Sequence, residues 1–144
     1  MAKLDDLSIK NLKNSLNNCS SKIILSCYQK TDGEGLAKSL EGTLGYLDWC
    51  LDGQISKLLK CEGMKSGELT LISGKNKLGK QSSLLIYTAK KSDIDAQRIA
   101  KALRGLQVEN LSIAQSTFPK DSLGSLEKAL KKEQIEWQSL EMVH

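Results

Sequence analysis

The spacing of hydrophobic and polar positions changes several times along the chain, and each change predicts an element. Ile23-Ile24-Leu25-Ser26-Cys27-Tyr28 is a short apolar and β-branched run that closes at Thr31-Asp32-Gly33. This predicts a buried strand, central in a sheet, followed by a turn. Upstream, Leu7-Ser8-Ile9-Lys10-Asn11-Leu12 alternates briefly, which fits an edge strand better than a helical turn. From Leu44 to Leu59 the apolar residues Leu44, Leu47, Leu51, Ile55, Leu58 and Leu59 recur at three and four, the spacing of one helical face. Thr43 is placed to cap that helix and Gly63 to end it. Trp49 falls off the stripe and so either widens the buried face or marks an outside contact.

Glu68–Ile72 and Ser83–Thr88 are both strand-like, and the Gly- and Lys-rich segment between them predicts an antiparallel pair. Ser92-Asp93-Ile94-Asp95 then offers a cap, Ile99, Leu103 and Leu106 an apolar face, and Gly105 a stop, so a helix follows. Residues 108–115 read as a strand, and 122–132 as a helix with Leu123, Leu126 and Leu130 inward. Ile135-Glu136-Trp137 opens a last alternating stretch. The resulting order predicts an α/β fold, a mixed β-sheet flanked by helices on both faces.

Composition leaves this picture in place and bounds it. The chain has 144 residues, 40% hydrophobic, 26% charged and with one proline, which suits a single domain over 1–144 that needs no metal or disulfide staple. No apolar run approaches the roughly 18 residues of a spanning helix, and Met1-Ala2-Lys3-Leu4-Asp5-Asp6 is unlike a secretory signal. The expectation is a cytoplasmic protein without a membrane partner. Cys19, Cys27, Cys50 and Cys61 form no CxxC pair, and the one histidine is His144. We therefore expect neither zinc nor any other metal or cofactor, and read Cys27 and Cys50 as buried reduced thiols.

Charge is uneven. Residues 1–72 carry nine basic and nine acidic side chains, whereas residues 73–144 carry twelve basic against eight acidic. The excess gathers in Lys75, Lys77, Lys80, Lys90, Lys91, Arg98, Lys101 and Arg104, opposed locally by Asp93 and Asp95 alone. Such a segment is usually a solvated surface; it attracts a polyanion only if its members converge. The loop at 74–82 and the stretch at 90–92 lie at opposite ends of one strand, about 20 Å apart at about 3.3 Å per residue. One tight patch is therefore not expected. Tyr87 is the sole aromatic between Lys75 and Arg104, too few for base stacking.

Gly74-Lys75-Asn76-Lys77-Leu78-Gly79-Lys80 has the spacing of a phosphate-binding loop, but Gln81 stands where a magnesium-binding hydroxyl is required and a strand follows where a helix is required. It reads as a hairpin loop. Without an internal imidazole, a conventional nucleophilic triad is excluded. Asp48 and Asp52, four apart on one helix face, match the spacing of a carboxylate pair and equally that of a solvated face.

Around Leu44-Gly45-Tyr46-Leu47-Asp48-Trp49-Cys50-Leu51-Asp52-Gly53-Gln54-Ile55-Ser56-Lys57-Leu58-Leu59, and on through Gly67-Glu68-Leu69-Thr70-Leu71-Ile72 to Leu84-Leu85-Ile86-Tyr87, the chain resembles the N-terminal domain of the cytosol (leucyl) aminopeptidases, peptidase family M17. The likeness spans roughly residues 7–115 in order of elements. It implies a fold similar to a macro domain. In that family the metals and catalytic groups belong to a separate C-terminal domain, whose Asn-Thr-Asp-Ala-Glu-Gly-Arg signature has no counterpart here, so no catalytic residue carries over and no enzyme activity is expected. Ala89-Lys90-Lys91 departs from the Gly-containing turn common at that point of the family.

Three functions follow as expectations. The first is a non-catalytic module that associates with itself or another protein, with Trp49 and Trp137 as anchors. The second is a macro-like domain that binds a nucleotide or ADP-ribose-type small molecule near the strand ends. There Gly33-Glu34-Gly35 and Gly42-Thr43-Leu44-Gly45 are the nearest approach to a phosphate loop, with Glu34 and Glu41 opposing an anion. The third is weak, non-specific binding of nucleic acid by the basic segment.

Overall fold

The computed structural model describes residues 23–30, 42–60, 67–78, 81–90 and 94–140. Its elements are β1 (Ile23–Lys30), α1 (Gly42–Cys50), α2 (Gln54–Lys60), β2 (Glu68–Leu78), β3 (Gln81–Lys90), α3 (Ala96–Gly105), β4 (Asn110–Ile113), a short 3-10 turn (Gln115–Thr117), α4 (Lys120–Lys132) and β5 (Glu136–Ser139). The expected strand at Leu7–Leu12, the turn at Thr31–Gly33 and the stop at Gly63 lie outside the described residues.

The five strands form one mixed sheet in the order β2-β3-β1-β4-β5. β1 is central, as its mostly apolar run predicts, and runs parallel to β3 and β4; β4 is in turn parallel to β5. β2 joins β3 as an antiparallel hairpin, with a register shift between Ser73 and Leu78. The strand period of two gives the sheet two apolar faces. Leu25, Cys27, Leu85, Tyr87, Leu111 and Ile113 pack under α3 and α4. Ile24, Leu84, Ile86 and Ile72 pack under α1 and α2. Helices therefore cover both faces, as the alternation of elements predicts.

The helix expected from Leu44 to Leu59 is two helices. Its stripe is used as the spacing dictates: Leu44, Leu47, Leu51 and Ile55 are buried. The chain breaks at Asp52 and Gly53, both left-handed with φ of 57° and 80°. The Gly53 N–H reaches the Asp48 carbonyl at 2.8 Å and the Asp52 N–H the Trp49 carbonyl at 3.2 Å, which closes α1. The Asp48 carboxylate then caps α2: Oδ1 accepts from the Ile55 and Ser56 N–H groups at 2.8 and 3.2 Å, and Oδ2 from the Ser56 hydroxyl at 2.6 Å.

Gly105 is the last residue of α3, as expected, but the left-handed position lies two residues on, at Gln107 with φ 59°, where the Gln107 and Val108 N–H groups close the end on the Arg104 and Leu103 carbonyls. The cap at the other end is Asp95, whose Oδ1 accepts from the Arg98 N–H at 3.1 Å.

Candidate functional site

The chain leaves the central strands in opposite directions. After β1 it passes to α1 and α2 on one face; after β3 and β4 it passes to α3 and α4 on the other. Where neighbouring parallel strands part in this way, a crevice opens at their carboxyl ends, the place at which open α/β sheets hold ligands. Here that place is the carboxyl ends of β1 and its two parallel neighbours, β3 and β4.

The Gln115–Thr117 turn stands at this edge and is tied to three elements. Thr117 Oγ1 accepts from the Cys27 N–H at 2.9 Å and donates to the Ala114 carbonyl at 2.6 Å, and the Gln29 side-chain amide donates to the Thr117 carbonyl at 3.0 Å. The hydroxyls of Ser116 and Thr43 lie 2.8 Å apart. Ser139 Oγ donates to Gln115 Oε1 at 2.8 Å. Thr43 is not the cap expected of it but lies within the first turn of α1, its hydroxyl turned to Ser116, so the positive end of that helix dipole faces this edge. Gln29 and Ser116 are exposed and carry no charge. In register along the same edge, Lys30 of β1 lies opposite Lys90 of β3.

Just inside the edge, on the side facing α1, Ser26 and Thr88 are wholly buried, and among the described residues neither hydroxyl has a hydrogen-bond partner. Each such orphan costs about 1–3 kcal/mol, and an unpaired buried group in a native fold calls for an explanation.

The structure separates the residues that charge and spacing had grouped. Lys75 and Lys77 lie in β2 near the hairpin turn, Lys90 ends β3 at the opposite end, and Arg98, Lys101 and Arg104 are exposed on α3. Lys80 and Lys91 lie outside the described residues. The six described members therefore form no single patch. The Gly74–Leu78 segment is strand, which removes the phosphate-loop reading on backbone grounds. Asp48 is a helix cap, and Asp52 occupies the left-handed break beside it; the two are not a catalytic pair. Trp49 is 76% exposed and stacks tilted against Tyr46, their centroids 6.0 Å apart. Trp137 is half-buried against the α3–α4 side of the sheet, so the two tryptophans belong to opposite layers. Burial pushes the Cys27 thiol from 9.0 up to about 12 and raises that of Cys50, so Cys27 is inert. Among the described residues, no three His, Cys, Asp or Glu side chains gather as a metal set, and no helix is long and apolar enough to cross a membrane.

Sequence reasoning missed Gln29 and Gln115–Thr117 as site residues. The signal available was Gln115-Ser116-Thr117-Phe118-Pro119, a polar turn cluster directly after a strand.

No family model matches the sequence, and no curated protein does. Among solved structures the chain is similar to the macrodomain of Mycobacterium tuberculosis DarG, with a TM-score of 0.60 over 86% of this chain and 91% of that one, at 8% sequence identity. The shared property is the fold, a mixed five-stranded sheet between helices. This comparison overturns the resemblance to the N-terminal domain of the leucyl aminopeptidases. The Leu44–Leu59 pattern that carried it consists of a core-facing stripe plus a break and a cap, features that local helix geometry demands whatever the family.

Proposed function

We propose that this chain is a small-molecule binding domain of the macrodomain type, taking a nucleotide or ADP-ribose-type anion at the carboxyl edge of β1, β3 and β4, without catalysis of its own. The observation that carries this reading is the divergence of the chain at β1 and β4, which leaves a polar edge at the switch point of the sheet. Three features there favour an anion: the amino end of α1, the paired positions of Lys30 and Lys90, and, among the described residues, the absence of carboxylates from the hydrogen-bonded set around Gln115–Thr117. The orphan hydroxyls of Ser26 and Thr88 beneath the edge are the kind of unrelieved polarity that binding sites retain.

The experiment is thermal unfolding with a panel of nucleotides and ADP-ribose. A ligand at a hundred times its dissociation constant adds about 2.7 kcal/mol, a shift of several degrees for a chain of this size. Ser116→Glu, which places a negative charge on an exposed site residue, is expected to abolish the shift while leaving the apo midpoint lowered by no more than one hydrogen bond, about 1 kcal/mol. No shift with any member of the panel removes the proposal.

A further inference from the structure

On the outer side of the other helical layer, α3 and α4 enclose a groove of about 600 Å³. Its cause is local. Ala96, Ala100 and Ala129 line it and are buried, and their short side chains leave space between the two helices. Lys101 from α3 and Lys128 and Lys132 from α4 border that space. Lys128 and Lys132, four apart, occupy one helix face. All three are exposed, and among the described residues none makes an ion pair or a hydrogen bond.

Among the described residues of the lining, both carboxylates are committed. Asp95 accepts the Arg98 N–H as the cap of α3, and Glu133 lies 3.5 Å from the Arg104 guanidinium, which also donates to the Glu133 carbonyl at 3.0 Å. The groove thus holds three unengaged ammonium groups over a floor of methyl groups.

We propose that this groove binds a small anion carrying two or more phosphate groups. Its volume lies within the range of small-molecule pockets. Lysine ammonium groups act on phosphate as point charges and do not require the planar fit of a carboxylate. Three of them, drawn from two helices, match separated phosphates better than a single one. No aromatic side chain lines the groove, so the recognised part is the phosphates and not a base. The site stands apart from the strand edge proposed above: different helices, the opposite face of the sheet, no shared residue.

The test is an amide-shift titration of the full chain with inorganic triphosphate at about 0.15 M ionic strength, where the Debye length is about 8 Å. Saturable shifts confined to residues 94–101 and 125–133 are expected. Lys128→Glu should weaken binding by about tenfold, the scale of one charge-assisted hydrogen bond. Lys131→Glu, on an exposed lysine of the same helix outside the groove, should leave binding within about twofold. The proposal is overturned by no saturable binding, by shifts confined to the strand edge around Gln29 and Ser116, by equal losses in Lys128→Glu and Lys131→Glu, or by orthophosphate binding as tightly as triphosphate. A short DNA duplex that binds where triphosphate does not also overturns it and assigns the lysines to a nucleic-acid surface.

Discussion

Asp48 receives three hydrogen bonds from the start of α2 while sitting in α1 itself, so one carboxylate joins the two helices. Asp48→Ala is expected to cost about 1–2 kcal/mol, the scale of a lost N-cap, read as a lowered urea midpoint. The buried hydroxyls behave in the opposite sense. Ser26→Ala and Thr88→Val remove orphaned groups and are expected to raise the urea midpoint, by about 1 kcal/mol each; a lowered midpoint would mean that those hydroxyls are bonded in solution. Cys27 provides a pH signature. Its folded pKa of about 12 stands above the ordinary 9.0, so the thiol stays protonated in the folded chain while the unfolded chain ionises. That contribution is whole below pH 9 and is lost as pH climbs from 9 towards 12, at up to roughly 1.4 kcal/mol per unit. Urea midpoints of the parent and Cys27→Ala should therefore converge above pH 9; parallel curves would refute the assignment.

Three helices end with a left-handed residue, and at two of the ends that residue is glutamine: Gln107 after α3 and Gln134 after α4, both at φ 59°. Each is followed by an apolar residue whose N–H returns to the helix, Val108 to Leu103 and Ile135 to Leu130, and each leads straight into a strand. A side chain there strains the backbone, so Gln107→Gly and Gln134→Gly are expected to raise the thermal midpoint, by about 0.5–1 kcal/mol each. These ends also show what the sequence disclosed. Periodicity located β1, the hairpin, α3, α4 and β5, because burial of one face sets the spacing. It ran α1 and α2 together, since the stripe survives the break, although Asp52-Gly53 is a turn dipeptide. It placed the end of α3 correctly at Gly105, but could not show that the left-handed position would be taken by Gln107 and not by the glycine. The strand edge was illegible for a different reason: Thr117 meets Cys27 across 90 residues of sequence, and no local pattern announces a neighbour that only the sheet supplies.

Across the whole molecule the excess positive charge falls into separate places: the hairpin, the carboxyl edge and the outer face of α3 and α4. Binding of nucleic acid by one continuous basic face is accordingly not expected, and the two proposed anion sites should respond independently to substitution, since distant positions add. The central position of β1 also has a consequence in time. Ile24 lies against Leu84 on one side and Ser112 on the other, partners some sixty and ninety residues downstream. The strand translated early thus stays without either neighbour until most of the chain exists, and its apolar run must be shielded meanwhile. Closing such long loops before any contact rewards them slows the search. Refolding from urea is expected to be slower than for helical bundles of equal length, and chains truncated before Asn110 are expected to associate through the exposed β1 in place of folding, which light scattering would show.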